Sequence, residues 1–186
     1  MLMAPDFDEN ALELLKSKKN RVLLQTKSFT ASDKMVRSLL NGVLEQSRDN
    51  VTEQSSQLKN VTVKVSSATE IQDLLFANKI VKHSKSNAIV LAKNQQLLAS
   101  GVGQTSRVDA LKQAIEKATT FGFPLQGAVM ASDAFFPFAD CIQIAADAGI
   151  TSIVQPGGSI RDQDVIDEAN KKQVSMVITG IRHFKH

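Results

Sequence analysis

The stretch GAVMASDAFFPFADCIQIAADAGITSIVQPGGSIRDQDVIDEANKKQVSMVIT, residues 127–179, sets the architecture. Three short apolar runs, GAVMA, TSIVQ and VSMVIT, read as strands, and two amphipathic stretches between them, 138–148 and 162–172, read as helices. Strand and helix in alternation predict parallel strands joined by right-handed crossovers. In open sheets of this kind, ligands bind beyond the carboxyl ends of the strands. Three segments follow such ends: SDAFFPF, QPGGS and TGIRHFKH.

Upstream, NAIVLAK and QLLASGVG predict a hairpin around Asn94-Gln95. Ser106 with Asp109 is a capping-box signature opening a helix whose apolar face is Val108, Leu111, Ile115 and Ala118. Ser67 with Glu70 opens an earlier helix striped by Ile71, Leu74, Leu75 and Ile80. Before it, VTVKVS (61–66) alternates and predicts a strand. Residues 47–60 are polar and predict a boundary loop. The N-terminal piece reads as a helix at 8–18, a strand RVLLQT, and a hairpin turning at Asn41-Gly42. The expected class is α/β: a three-layer α/β/α arrangement with a mixed sheet, an antiparallel hairpin on one side and a parallel C-terminal βαβαβ. The expected division is 1–60 and 61–186.

The 186 residues carry 42% hydrophobic and 22% charged side chains, an ordinary globular balance. No apolar run has the length of a membrane span. The acidic, Pro-broken start MLMAPDFDEN is unlike a signal peptide. Cys141 is the only cysteine, which excludes an intrachain disulfide and points to a reducing compartment, read as the cytoplasm. A net charge of +3, without basic residues interleaved with aromatics, argues against a nucleic-acid partner.

The predicted topology gathers Asn87, Arg107, Asp133, the Phe cluster, Gly157, Gly158 and Arg182 at one sheet edge. Each admits two readings. Arg107, at a helix N-terminus where a cation is disfavoured, is either solvated or joins the free N–H groups in gripping an anion. Asn87 is a strand-start hydrogen bonder or a ligand group. QPGGS is an ordinary turn or a phosphate nest. Asp133 caps the next helix or belongs to the site. The aromatic cluster is core or ligand wall. Cys141 reads as a buried small hydrophobe. His83 and His183 lack a second ligand at zinc spacing. Together the polar groups and flat apolar surface suit a ligand with an anionic end and an aromatic body. No Ser-His-Asp set, carboxylate pair or nucleotide fingerprint indicates a reaction.

APDFDENALELLKSKKN, MVRSLLNGVLEQSRDN, DLLFANKIVKHSKSNAIVLAK, GVGQTSRVDALKQAIEKA, ASDAFFPFADCI, AGITSIVQPGGSIRDQDVIDEA and TGIRHFKH resemble, in family order, the C-terminal part of the bifunctional purine biosynthesis proteins. These join a phosphoribosylaminoimidazolecarboxamide (AICAR) formyltransferase to an inosine monophosphate (IMP) cyclohydrolase. The resemblance implies a cytidine-deaminase-like fold without the deaminase zinc. It implies formyl transfer from 10-formyltetrahydrofolate, a folate co-substrate, to AICAR. Asn87 looks like the family's catalytic Asn, and Arg107, Phe135 and Arg182 like AICAR contacts. Val108, Pro137, Phe138 and Asp140 look like folate-side contacts. A potassium ion near Asp133, with carbonyls around Val81 and Ser84, is a further implication. Ala139, Cys141 and Asn78 depart from the family pattern. The resemblance places the family's Lys-His catalytic pair and the cyclohydrolase domain outside this stretch, and the active site across a homodimer. The expectation is little or no transformylase activity from this chain alone. The alternative is a non-catalytic nucleotide-binding or dimerisation module.

Overall fold

The computed structural model describes residues 1–28 and 32–185. They form two compact units, Met1–Arg48 and Asp49–His186. The division falls earlier than residue 60 because the segment after Arg48 belongs to the second unit's sheet: Lys59–Asn60 pairs with its edge.

In the first unit, β1 (Leu2–Ala4) pairs in parallel with β2 (Leu23–Gln25), and α1 (Glu9–Lys16) connects them. Asp8 starts α1, its carboxylate accepting from the Ala11 N–H at 2.9 Å. β3 (Lys34–Leu39) and β4 (Gly42–Ser47) form an antiparallel hairpin. Its turn is Leu40-Asn41, one position before the expected Asn41-Gly42, because Gly42 pairs with Leu39. Among the described residues of this unit, none is buried.

The second unit comprises β5 (Lys59–Asn60), α2 (Ala68–Lys82), β6 (Ile89–Lys93), β7 (Gln96–Gly101), α3 (Arg107–Thr120), β8 (Ala128–Ser132), α4 (Asp140–Asp147), β9 (Ile150–Gln155), α5 (Asp162–Lys171) and β10 (Ser175–Ile178). The six strands are ordered β5-β10-β9-β8-β6-β7. β8, β9 and β10 are parallel, while β6, β7 and β5 run antiparallel to their neighbours. The mixed sheet and the parallel βαβαβ are as expected.

Period-2 alternation divides the side chains between two cores. Ile89, Leu91, Met130, Ile153 and Met176 point into one with α3, α4 and α5. Val90, Ala92, Val129, Val154 and Val177 point into the other with α2. This gives the three layers. Gly101 permits the close approach of α3 to β7, since a Cβ there would lie 1.8 Å from the Ala110 carbonyl oxygen. The Asn94-Gln95 turn forms as expected, both residues at positive φ, with Asp73 accepting from both N–H groups at 2.9 and 2.6 Å.

VTVKVS is not a strand; the pairing ends at Asn60. Its alternation is inverted relative to the sheet. Val63 and Val65 are exposed, and Thr62 and Ser66 are buried. Thr62 Oγ1 takes the Met176 N–H at 2.8 Å, in place of a backbone carbonyl. Ser66 Oγ meets Ser152 and Ser175 hydroxyls at 2.7 and 2.9 Å, so a polar layer draws in the serine and leaves the valines outside.

Candidate functional site

β8 ends at Ser132 and β9 at Gln155, and β6 begins at Ile89, opposite Ser132 on one side and Gly101 on the other. The antiparallel start of β6 therefore lies at the same edge as the parallel strand ends. SDAFFPF crosses that edge. Its shape is set by two buried polar side chains. Ser132 Oγ donates to the Ala134 carbonyl at 2.7 Å, and Gln155 Oε1 accepts from the Phe136 N–H at 3.2 Å. Phe136 is thereby fully buried, while Phe135 is half-buried and Phe138 exposed. The apolar cluster is divided between core and surface, not assigned wholly to either.

Arg107 is the first residue of α3, after its cap Ser106. It is not solvated: its side chain is 10% exposed. Nη2 lies 3.0 Å from Asp133 Oδ1, and Nε donates to Ser132 Oγ at 3.2 Å. The buried carboxylate answers the unfavourable position of a cation at a helix N-terminus. Asp133 does not cap α4, which begins after Ala139 without a side-chain cap. Its Oδ2 is buried without a partner among the described residues. A buried unpaired carboxylate oxygen is costly, and a cation would satisfy it.

Asn87 has the strand-start role in full. Its Nδ2 donates to the Gln104 carbonyl at 2.9 Å, and the two backbones exchange hydrogen bonds at 3.3 Å. Its amide oxygen has no partner among the described residues. Arg182 is exposed, its guanidinium 4.3 Å from the Phe184 ring centroid. The next residue, His183, ties that segment to the site, its N–H donating to the Asp133 carbonyl at 3.0 Å.

Phe135, Pro137 and Phe138 line a cavity of about 350 Å³ with Gly158, Ser159, Ile160 and Arg161. The Arg161 guanidinium lies 4.9 Å from the Phe138 ring centroid. Val108 packs instead against the core beneath α3, and Asp140 opens α4 with its carboxylate on the Cys141 N–H at 2.8 Å; neither lines this cavity. The glycine turn is not an open nest. The Gly158 N–H donates to Asp162 at 2.7 Å, so a carboxylate already occupies the place of an anion. Cys141 is buried, and burial pushes its thiol up to about 12; it faces the core.

Ser132 and Gln155 are groups sequence reasoning passed over, and His183 was weighed only as a zinc ligand. For Ser132 and Gln155 the signal was there: each is a polar residue closing an apolar strand at the ligand edge. His183 had only its place beside Arg182. It is 2% exposed, with ring nitrogens 2.5 Å from Asp49 and 2.7 Å from Glu53. Burial opposes charge on both partners, but their mutual hydrogen bond and attraction prevail, holding His183 above its ordinary value and Glu53 below its own. Among the described residues no group of three or more His, Cys, Asp or Glu could hold a metal ion, and no helix is long and apolar enough to cross a membrane.

Residues 1–117 match the family model described as AICARFT/IMPCHase bienzyme. The whole chain is 61% identical to the bifunctional purine biosynthesis protein PurH of Bacteroides thetaiotaomicron and 52% identical to that of Aquifex aeolicus. It spans 37% and 36% of the length of those relatives. Among solved structures, the dCMP deaminase of the cyanophage S-TIM5 is 16% identical and matches 60% of this chain and 98% of its own, at a TM-score of 0.42.

Proposed function

Because the chain belongs to the AICARFT/IMPCHase bienzyme family, we propose that it supplies part of the formyltransferase site of a bifunctional purine biosynthesis enzyme. The 5-amino nitrogen of AICAR attacks the formyl carbon of 10-formyltetrahydrofolate. A new N–C bond forms, the bond to the folate N10 breaks, and tetrahydrofolate leaves with the proton the amine gives up. Asn87 uses its side-chain amide to hydrogen-bond the reacting groups and steady the developing charge. Arg107 and Arg182 hold the polar and anionic parts of AICAR, and Phe135 packs against its ring. Pro137 and Phe138 face the folate, with Val108 and Asp140 at its margin. Asp133 orients Arg107. Its unpaired Oδ2 suits a potassium ion, joined by carbonyls around Val81 and Ser84. In the parent protein the site is shared across a homodimer in the cytoplasm, and the parent also carries the IMP cyclohydrolase. This chain alone turns over little or no substrate.

The observation that supports this reading is the meeting, at one sheet edge, of the Arg107–Asp133 pair, Asn87 and the aromatic cavity. The test is a transformylase assay of this chain combined with the remaining part of a PurH protein. The expected result is restored turnover, with Asn87→Ala lowering kcat by about 10²–10³-fold. Unchanged turnover in Asn87→Ala would overturn the assigned role. AICAR binding without any restored turnover would favour the non-catalytic binding module.

A further inference from the structure

The C-terminal segment reaches the site through a cluster that the reaction does not use. His183 has both ring nitrogens on carboxylates, Nδ1 at 2.5 Å from Asp49 Oδ2 and Nε2 at 2.7 Å from Glu53 Oε1. An ionised carboxylate only accepts, so both nitrogens carry hydrogen and the ring is a cation in this geometry. Lys82 supplies the second positive charge, 3.7 Å from Asp49 Oδ1, and also donates to the Val51 carbonyl. Two cations thus face two carboxylates, and the buried cluster is balanced. Asn78 flanks it, with Nδ2 3.5 Å from His183 Nε2; both are donors here, so the two make no hydrogen bond with each other.

The cluster joins three separate stretches of chain: residues 49–53, α2 through Asn78 and Lys82, and the tail through His183. The tail is then bonded at points on either side of Phe184. The His183 N–H donates to the Asp133 carbonyl at 3.0 Å, and the Lys185 N–H to Ser86 Oγ at 2.9 Å. Asp133 is the residue whose carboxylate holds Arg107. Arg182 is therefore one residue from an anchor on the same Asp133, while its own side chain stays exposed over Phe184.

We propose that His183 is a positioning residue: held between Asp49 and Glu53, it fixes the C-terminal segment so that Arg182 is presented to AICAR at the edge where Asp133 holds Arg107. The ligand part of this inference rests on the formyltransferase reading; the clamp itself does not. An exposed arginine on a free tail would lose its conformational freedom on each binding event. A backbone pinned at His183 and Lys185, just after Arg182, has lost much of its share already.

The test has two arms, both on the full chain. In amide hydrogen exchange, His183→Leu is expected to raise exchange across residues 181–185 and leave β8 and β9 unchanged. Glu53→Gln, far away in the sequence, is expected to do the same, which keeps the test valid if His183→Leu folds poorly. Calorimetric titration with AICAR then forms a cycle with Arg182→Ala. His183→Leu is expected to weaken AICAR by about tenfold or more, and to weaken it no further when Arg182 is already Ala. A general structural role for His183 would give additive losses, and that result overturns the proposal. So does unchanged exchange at 181–185 in both variants. If the wild-type chain fails to bind AICAR while the tail loosens as expected, the formyltransferase reading and Arg182's part in it fail, and the clamp stands.

Discussion

The chain holds two tight hairpins that differ in what secures them. β3–β4 turns at Leu40-Asn41 in a unit whose described residues include no buried one, whereas β6–β7 turns at Asn94-Gln95 in a six-stranded sheet packed on both faces. At the second turn, both N–H groups are taken by Asp73, which is 7% exposed. Turn chemistry fixes where each chain reverses. Burial fixes how firmly the reversal is held, since a lone two-stranded ribbon is marginal in water. The second unit can therefore place site groups with accuracy, and the described residues of the first unit form no comparable core.

The sharpest way to break this contrast is to truncate one large apolar side chain in each unit, buried in the second and exposed in the first. Phe136→Ala should cost about 3–5 kcal/mol in urea unfolding of the second unit. Leu14→Ala, on exposed α1, should change stability by about 0.5 kcal/mol or less. Equal losses would contradict the contrast. Next is the close approach of α3 to β7. Gly101→Ala places a Cβ against backbone at Ala110, and should cost about 1–3 kcal/mol with α3 displaced; an unchanged midpoint would show that α3 moves freely. Then come the turns. Asp73→Ala leaves two turn N–H groups without their acceptor and should cost about 1–3 kcal/mol, with faster exchange at Asn94 and Gln95. Asn41→Ala in the other turn should cost far less.

The His183 clamp adds a pH dependence confined to the second unit. The groups facing His183 are Asp49, Glu53 and Asn78, with Lys82 on Asp49 and the Asp133 carbonyl on its backbone N–H. His183 is raised from 6.5, so its share of stability is complete below that value and is lost as pH rises through the folded one. Glu53 is lowered from 4.5, so its share is complete above that value and is lost as pH falls through the folded one. The clamp is thus strongest between about 4.5 and 6.5. Urea midpoints of the wild type should fall above pH 6.5 relative to His183→Gln. Parallel profiles for the two proteins would count against the clamp.

What could be read in advance follows the same physics. The strands and helices of residues 127–179 were legible because short continuous apolar runs alternate with amphipathic stretches. Asn94-Gln95 was legible because the apolar runs around it left only one place to turn. VTVKVS misled because alternation names two faces without saying which is inside, and Ser152 with Ser175 made the polar face the buried one. The site was half legible. Topology gathered Asn87, Arg107, Asp133 and the Phe cluster at one edge. The Arg107–Asp133 pair spans 26 residues, and the His183–Glu53 pair spans 130. Contacts at such separations leave no local pattern, so the readings open for Arg107, solvated or gripping an anion, and for Asp133, capping a helix or belonging to the site, did not include their pairing.

The central claim is that the edge of the second unit's sheet is the AICAR side of a formyltransferase site. Calorimetric titration of AICAR into the chain, wild type and Arg182→Ala, tests it most directly. Arg182 is exposed, so its replacement leaves the fold intact. The account predicts saturable binding to the wild type and affinity weaker by about tenfold or more in the variant. No binding to the wild type, or equal affinity in both, would contradict it.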